Sequence, residues 1–348
     1  MINTKNKEVC TSVNSGSPKS FKTLDEQCDI IFDQRHLKVP SNECKKKSID
    51  RLNNELIQKN YFDLVNGLED VINVSDPKHK YYGDYSLDDL LGLYKLNEDL
   101  RQLLLANIGR FEISLKTSIA YHFSRHYPIW NDYCDPSNYK DITRNDLEEV
   151  FYARFGYSIK YSGDNPRINQ RALFPFFVTD NVLRRKLRRK ERYMSAYEGC
   201  PPLWVAIKIL DFGQTHLMFT LLNATVAKEV LADFNLKPVE RPEFESVLYV
   251  VNWLRNECAH FEMINKSRYH AKYPVDASLI KRLGLRTNRS RRNLNLFQVM
   301  CILNSTQEIK ESFFNLIKQS RIPSRLKSSY LRSIGYWRQS NWPLPFDF

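Results

Sequence analysis

The chain has 348 residues, of which 42% are hydrophobic and 26% charged, a composition that excludes a disordered protein and can form a sizeable core. Only 11 residues are glycine, which argues against a Gly-rich nucleotide-binding loop and against a sheet-and-turn architecture. No apolar run is long enough to span a bilayer, and residues 1–20 lack the apolar core of a secretory signal, so we expect a cytoplasmic protein without membrane contact.

The N-terminal part is predicted to be helical after a flexible tail at residues 1–20. Apolar residues recur at spacings of three and four from Phe21 to Asn66, which indicates amphipathic helices. Pro40 interrupts them, and Ser41 directly after it is predicted to cap the next helix. We therefore assign residues 21–82 to an N-terminal helical segment.

The clearest predicted helix begins at Ser86. Ser86 and Asp89 match a capping box, with Asp in place of the usual Glu. Apolar residues then follow at spacings of three and four as far as His122, which is about ten turns. The helix is expected to end near Tyr127-Pro128, and its length implies a spine that is buried along one side.

The second half of the chain is also predicted to be helical, with no period-2 strand and no internal repeat. Pro201 should open a helix that Gly213 bends, and another helix is expected from about Leu294 to Ile317. The predicted fold class is all-α. Residues 83–275 would form the helical core, and residues 276–348 a basic, aromatic segment packed on it.

The net charge of +12 is concentrated in the segments 184–192, 281–292 and 318–338. They hold 19 of the 52 basic residues and 1 of the 40 acidic ones, so the rest of the chain is net negative. Such clusters favour a polyanion as partner, most simply RNA, although solvated surface charge remains an alternative for each segment. The candidate RNA-binding residues are Arg184, Arg185, Lys186, Arg188, Arg189, Lys190, Arg192, Arg289, Arg291 and Arg292.

The segment Val247–Phe261 begins as an apolar helix and becomes polar at its end. Asn256 and His260 are four residues apart, which places them on one face, opposite the apolar face. Arg255 lies about 140° around an ideal helix from His260, so spacing alone does not bring the two together. A polar helix end without any catalytic role remains an open alternative.

Three stretches of the chain resemble known families. The string Arg255–His260 resembles the motif of HEPN ribonucleases, in which four to six residues separate an Arg from a His. Leu93–Tyr127 and Pro201–Phe219 resemble two blocks of the Abi-like family, the AbiD/AbiF type of bacterial abortive-infection protein. The resemblance extends over residues 21–270. One departure is Phe261, where family members often carry a polar residue after the motif His.

The resemblance implies a HEPN-like helical bundle with additional N-terminal and C-terminal helices. It also implies an antiphage, metal-independent endoribonuclease that uses the 2′-OH of RNA and needs no cofactor. His260 would be the general acid or base, Arg255 would bind the phosphate, and Asn256 would orient one of them. One motif supplies one His, so a homodimer with a composite site is expected. Arg110 and Glu112 match a supporting polar pair, and a simple surface ion pair explains them equally well.

Other interpretations remain open at this stage. The chain could be a non-catalytic RNA-binding protein associated with a structured small RNA, or a component of a toxin–antitoxin pair. His122 and His126 have a spacing that can bind metal, but no third ligand is convincingly placed, so no metal site is predicted. Tyr336, Trp337 and Trp342 are the aromatic residues that we expect to stack on RNA bases.

Overall fold

The computed structural model describes residues 20–73, 82–141, 197, 201–271, 274–287, 291–336 and 342. Within these ranges the regular structure is helical apart from one pair of three-residue strands, so the all-α prediction is confirmed. Buried apolar side chains from the N-terminal, central and C-terminal helices form one core, which runs from Cys28 to Trp342.

The N-terminal helices are short and are joined by tight turns. The first begins with a capping box in which Thr23 and Glu26 exchange hydrogen bonds. The predicted cap at Ser41 is wrong, because the N–H of Glu43 donates to the carbonyl of Pro40 at 3.0 Å and closes a turn that delays the helix. The elements are α1 (Leu24–Asp29), a π-helical turn (Ile30–Gln34), α2 (Lys45–Gln58), a second π-helical turn (Phe62–Asn66) and α3 (Glu69–Ile72).

Helix α4 (Leu87–His126) is the spine that the sequence predicts, and it is 40 residues long. Ser86 Oγ accepts from the N–H of Asp89 at 3.4 Å, and Asp89 Oδ2 accepts from the N–H of Ser86 at 2.8 Å, which confirms the capping box. The helix ends at His126, and its capping residue Tyr127 directly precedes Pro128, as predicted.

Two helices follow where the sequence predicts a single bent one. The break lies at Asp211, whose Oδ1 accepts from the N–H of Gln214 at 2.8 Å in a capping box. A capping residue has an extended backbone that a continuous helix does not contain. The predicted bend at Gly213 is therefore wrong, and Gly213 lies in the first turn of the new helix. The elements are α5 (Leu203–Ala206), a 3₁₀ turn (Ile207–Ile209), α6 (Phe212–Leu221) and α7 (Ala224–Asp233).

Helix α8 (Arg241–Ala259) crosses α4 and is fixed to it by aromatic contacts. The Phe111 ring of α4 lies edge-on to Phe244 of α8, with ring centroids 6.1 Å apart. Phe234 completes the group at 5.5 Å from Phe111, again edge-on. Such edge-to-face packing adds to the apolar burial that holds the two helices together.

A pair of strands follows α8, and the sequence did not predict it. Strand β1 (Arg268–His270) pairs antiparallel with β2 (Asn293–Asn295), and Tyr269 stands opposite Leu294. Three residues are too few to produce an alternation of apolar and polar positions that could be recognised. The two strands were therefore missed because they are too short for a sequence pattern to predict.

The remaining helices are shorter than predicted. The helix expected from Leu294 to Ile317 is interrupted after Asn304. The Oδ1 atom of Asn304 accepts from the N–H groups of Ile309 at 2.9 Å and Lys310 at 3.1 Å, and so provides an acceptor for the first N–H groups of a new helix. The elements are α9 (Ala277–Arg282), α10 (Leu296–Asn304), α11 (Lys310–Gln319) and α12 (Ser324–Ser333).

Helix α4 organises the packing of the others. It lies against α5, α7, α8 and α11, while α8 also packs against α6 and α10. Helix α12 packs against α3, which joins the two ends of the described chain. Helix α8 is thus enclosed along most of its length.

His216 of α6 is buried against α8. It is 2% exposed, its ring lies edge-on to Tyr249 with centroids 4.2 Å apart, and its Nε2 has no hydrogen-bond partner among the described residues. This burial lowers the pKa of His216 to about 3. The folded protein therefore holds a neutral imidazole where the unfolded chain would hold a cation in mild acid.

We expect the free energy of unfolding to fall as the pH drops below about 6.5, where the imidazole of the unfolded chain takes up a proton. The contribution of His216 is complete above that pH, and about 2 kcal/mol of it is lost by pH 5. Urea unfolding at pH 7 and pH 5 measures the loss. His216→Met should reduce the loss of unfolding free energy between pH 7 and pH 5 by about 2 kcal/mol. The control His270→Gln, at an exposed position, should not reduce it. An equal loss in the Met variant would contradict the prediction.

Candidate functional site

The candidate site lies at the C-terminal end of α8. The apolar face of the helix is buried through its last turn, where Val251, Leu254 and Cys258 are each at most 1% exposed. Burial raises the pKa of the Cys258 thiol to about 12, so this cysteine is not a nucleophile. The chemistry available here belongs to the opposite, polar face.

Arg255, Asn256 and His260 lie on the accessible side of the helix. Asn256 and His260 are exposed, as expected for residues opposite the apolar face, and Arg255 is partly exposed. Arg255 Nη1 donates to Asn256 Oδ1 at 3.3 Å. His260 is the C-terminal capping residue, and its side chain makes no hydrogen bond or ion pair within the described ranges. The structure therefore joins Arg255 to Asn256 but not to His260.

Glu257 has a structural role. Its Oε2 accepts from Ser267 Oγ at 2.5 Å and so ties the last turn of α8 to the residue before β1. Because of this hydrogen bond, Glu257 is not part of the accessible polar group formed by Arg255, Asn256 and His260.

Sequence reasoning missed two residues of α4 that hold the end of α8. Arg101 is 6% exposed and donates from Nη1 to the carbonyl oxygen of Phe261 at 3.1 Å. Asn97 is fully buried, and its Oδ1 accepts from the N–H of Asn265 at 3.2 Å. The available signal was a pair of polar residues four apart within an apolar stripe, where a buried polar group requires a partner.

Arg110 and Glu112 lie on α4, and among the described residues neither makes a hydrogen bond or ion pair with Arg255, Asn256 or His260. Arg110 Nη2 donates to Asn107 Oδ1 at 2.7 Å. Glu112 Oε1 accepts from Lys116 Nζ at 2.5 Å, in an ion pair within one helix.

The ion pair of Glu112 and Lys116 is nevertheless connected to α8 through the start of α6. Lys116 Nζ also donates to the carbonyl of Leu210 at 2.6 Å, just before the start of α6. Gly213 lies in the first turn of α6. The side-chain nitrogen of Asn252 lies 3.6 Å from the position that a Cβ atom on Gly213 would occupy. Asn252 belongs to the turn of α8 that precedes Arg255. The start of α6 thus lies between the Glu112 pair and the helix that carries the motif.

Most of the predicted RNA-binding residues lie outside the described residues. Arg291 and Arg292 are within them and lead into β2, where their carbonyl oxygens accept from the N–H groups of Val275 at 2.9 Å and Ala271 at 2.8 Å. Arg292 is exposed and Arg291 is partly exposed. The residues outside the described ranges are Arg184, Arg185, Lys186, Arg188, Arg189, Lys190, Arg192 and Arg289.

His122 and His126 bind carboxylates of α7. His122 Nε2 lies 2.9 Å from Asp233 Oδ2, and His126 Nε2 lies 3.0 Å from Glu229 Oε2. Their partners are therefore not Asp132 and Cys134, the nearest candidates by sequence. The described part of the chain contains no group of three or more His, Cys, Asp or Glu side chains that could hold a metal ion.

The exposed aromatic rings are not those that the sequence singled out. Tyr336 and Trp342 are 3% and 6% exposed and pack in an aromatic cluster, so the expectation that they stack on RNA is wrong. Trp337 lies outside the described residues. Tyr121 and Trp204 are exposed instead and line an open groove of about 720 Å³. The other lining residues are Ile113, Lys116, Thr117, Ala120, Ser124, Arg125, Ile207 and Lys208.

The described helices do not include one that is both long and apolar enough to cross a membrane. A search of curated proteins and a search of solved structures each returned no match to the chain. The family described as Abi-like protein matches residues 54–265, which extend from α2 into a 3₁₀ turn after α8 (Ile264–Lys266) and include the candidate site. Membership of this family suggests a role in abortive-infection defence. The match covers more than half of the chain, and the protein therefore belongs to the Abi-like protein family.

Proposed function

We propose that this protein is a metal-independent endoribonuclease of the HEPN type that acts in antiphage abortive infection. One observation carries the proposal: a helix whose apolar face is buried ends in polar side chains that remain accessible. Among the described residues Arg255 has only Asn256 as a polar partner, and His260 has none. These side chains are therefore available to a substrate.

The residue types suit cleavage of RNA by its own 2′-OH. The 2′ oxygen bonds to the adjacent phosphorus, and the bond from phosphorus to the 5′ oxygen breaks. A base removes the 2′-OH proton, and an acid donates a proton to the leaving 5′ oxygen. His260 would perform one of these transfers. Arg255 would hold the phosphate and stabilise its additional negative charge in the transition state, and Asn256 would orient the phosphate or the imidazole.

A single motif supplies only part of this machinery. The reaction uses two proton-transfer groups, and each chain contributes one His260. We therefore propose a homodimer in which the polar ends of two α8 helices face a shared RNA strand. Two-fold symmetry would place the same residues on both sides of the scissile phosphate.

The three basic segments would bind the RNA backbone. The segment at residues 184–192 carries most of the proposed contacts, and Arg292 is an exposed cation next to β2. Neutralisation of phosphates by Lys and Arg releases counterions, so the affinity for RNA should fall steeply with salt.

Incubation of single-stranded RNA with the protein in excess EDTA tests the proposed chemistry. We expect fragments with 2′,3′-cyclic phosphate and 5′-OH ends, because the 2′-OH is the nucleophile and no metal takes part. The matched substrate has 2′-deoxynucleotides at the cleavage sites identified by sequencing the products, and it should remain intact.

Two results would overturn the proposal. A requirement for Mg²⁺ would replace 2′-OH attack with metal-assisted hydrolysis, and cleavage of the 2′-deoxy substrate would exclude the 2′-OH as the nucleophile. Tight binding of RNA without any cleavage would instead support a non-catalytic protein that associates with a structured small RNA. Sequencing the RNA that co-purifies with the protein would then identify that partner.

A further inference from the structure

Phe261, directly after His260, has an unusual backbone conformation. The N–H of Glu262 donates to the carbonyl of Glu257 at 3.2 Å, and the N–H of Phe261 donates to the carbonyl of Cys258 at 3.4 Å. These two bonds form the Schellman ending of a helix, which places Phe261 in the left-handed region with φ of 63°. Glycine usually occupies this position, because a side chain there costs about 1 kcal/mol.

Apolar burial does not explain the phenylalanine. The residue is 71% exposed, although the neighbouring Cys258 and Met263 are buried. A large apolar side chain that is both exposed and in a strained conformation gains little stability from its surroundings. The residue therefore calls for an explanation other than packing.

Arg101 holds the ring from one side. Its guanidinium carbon lies 4.9 Å from the centroid of the Phe261 ring, and the same guanidinium donates to the carbonyl oxygen of Phe261 at 3.1 Å. Arg101 is itself buried, so it is a fixed cation beneath the ring rather than a mobile surface charge. One face of the ring is thereby occupied, and the other is left to solvent.

Phe261 is the residue directly after the candidate acid–base group. Consecutive Cα atoms are about 3.8 Å apart, so the Phe261 ring and the His260 imidazole project from adjacent points of the chain. In a nucleotide, the base and the 2′-OH are attached to the same ribose. One residue could thus hold the base while its neighbour meets the hydroxyl or the phosphate.

We infer that Phe261 is a stacking platform for an unpaired nucleobase of the RNA at His260. Nucleobases stack on aromatic rings with little regard to their identity, and only a base that is free of a duplex can reach such a ring. The substrate is therefore single-stranded RNA, or a loop or bulge. The inference rests on the proposed function only in assuming that RNA lies at His260.

Phe261→Gly separates a stacking role from a structural one. Glycine adopts φ of 63° without strain, so the end of the helix is kept while the ring is removed. We expect an unchanged or higher melting temperature together with about tenfold weaker binding of single-stranded RNA. Phe261→Trp should retain the affinity. Phe21→Gly removes another exposed phenylalanine, outside the candidate site, and serves as the matched control.

The probe is a single-stranded 2′-O-methyl oligouridylate of about a dozen nucleotides with one central 2-aminopurine, whose fluorescence is quenched by stacking. It cannot be cleaved through its 2′ oxygen, so the assay reports stacking whether or not the protein is a nuclease. Quenching by the wild type, the Trp variant and the Phe21 control, but not by the Gly variant, supports the inference. Equal quenching and affinity in the Gly variant would overturn it, and so would a wild type that does not quench.

Discussion

His260→Ala is expected to lower the rate of RNA cleavage by about a thousandfold, because general acid–base catalysis contributes on that order. His260 is exposed and has no side-chain partner among the described residues, so its removal leaves neither a cavity nor an unsatisfied buried group. The melting temperature and the affinity for a non-cleavable RNA should therefore remain those of the wild type. Single-turnover cleavage with protein in excess over RNA measures the rate of the chemical step.

His270→Ala is the matched control for this substitution. His270 is also exposed, but it lies in β1 with Nδ1 at 2.6 Å from Asn293 Oδ1. Its removal should leave the cleavage rate unchanged. Undiminished cleavage by the His260 variant would remove this residue from the mechanism, and a large loss in both variants would point to a general structural effect.

The long helix was predictable because its signals are local. The capping box at Ser86 and the three-and-four spacing of apolar residues both lie within the helix that they specify, and both are confirmed. The interruptions at Asp211 and Asn304 were missed because capping depends on which backbone groups a polar side chain meets. Periodicity carries no information about those contacts.

The candidate site was only partly predictable for a related reason. The position of Asn256 and His260 opposite the apolar face follows from helix geometry and agrees with their exposure. The bond from Arg101 to Phe261 joins residues 160 positions apart in sequence, and no spacing rule predicts it. Aromatic residues pose a similar problem, since Trp342 and Trp204 have the same chemistry but one is buried and the other exposed.

The proposed reaction needs a second proton-transfer group, and the structure bears on whether a second copy of the chain supplies it. Within one chain, the accessible group at the end of α8 contains one imidazole and one guanidinium. Four other histidines have described contacts elsewhere: His122 and His126 bind carboxylates of α7, His216 is buried in α6, and His270 lies in β1 beside Asn293. None of these four makes a described hydrogen bond or ion pair with Arg255, Asn256 or His260. A second His260 is the candidate with the matching chemistry.

Mixing wild-type protein with an excess of the His260→Ala variant tests this directly. If the active site is shared, subunit exchange pairs nearly every wild-type chain with an inactive one. A mixed dimer retains one imidazole and lacks the other proton-transfer group. With about a hundredfold excess of the variant, activity per wild-type chain should fall by about a hundredfold. Cleavage assays before and after incubation of the mixture measure this loss.

Binding of RNA by the inactive variant could imitate this result, so the RNA is kept in molar excess over all protein. The sample assayed immediately after mixing is the second control, because it has the same composition but has not exchanged subunits. Activity should therefore decay with the time course of subunit exchange, which labelled subunits can follow. Constant activity per wild-type chain after complete exchange would mean that each chain holds a whole active site. The second proton-transfer group would then have to come from the same chain.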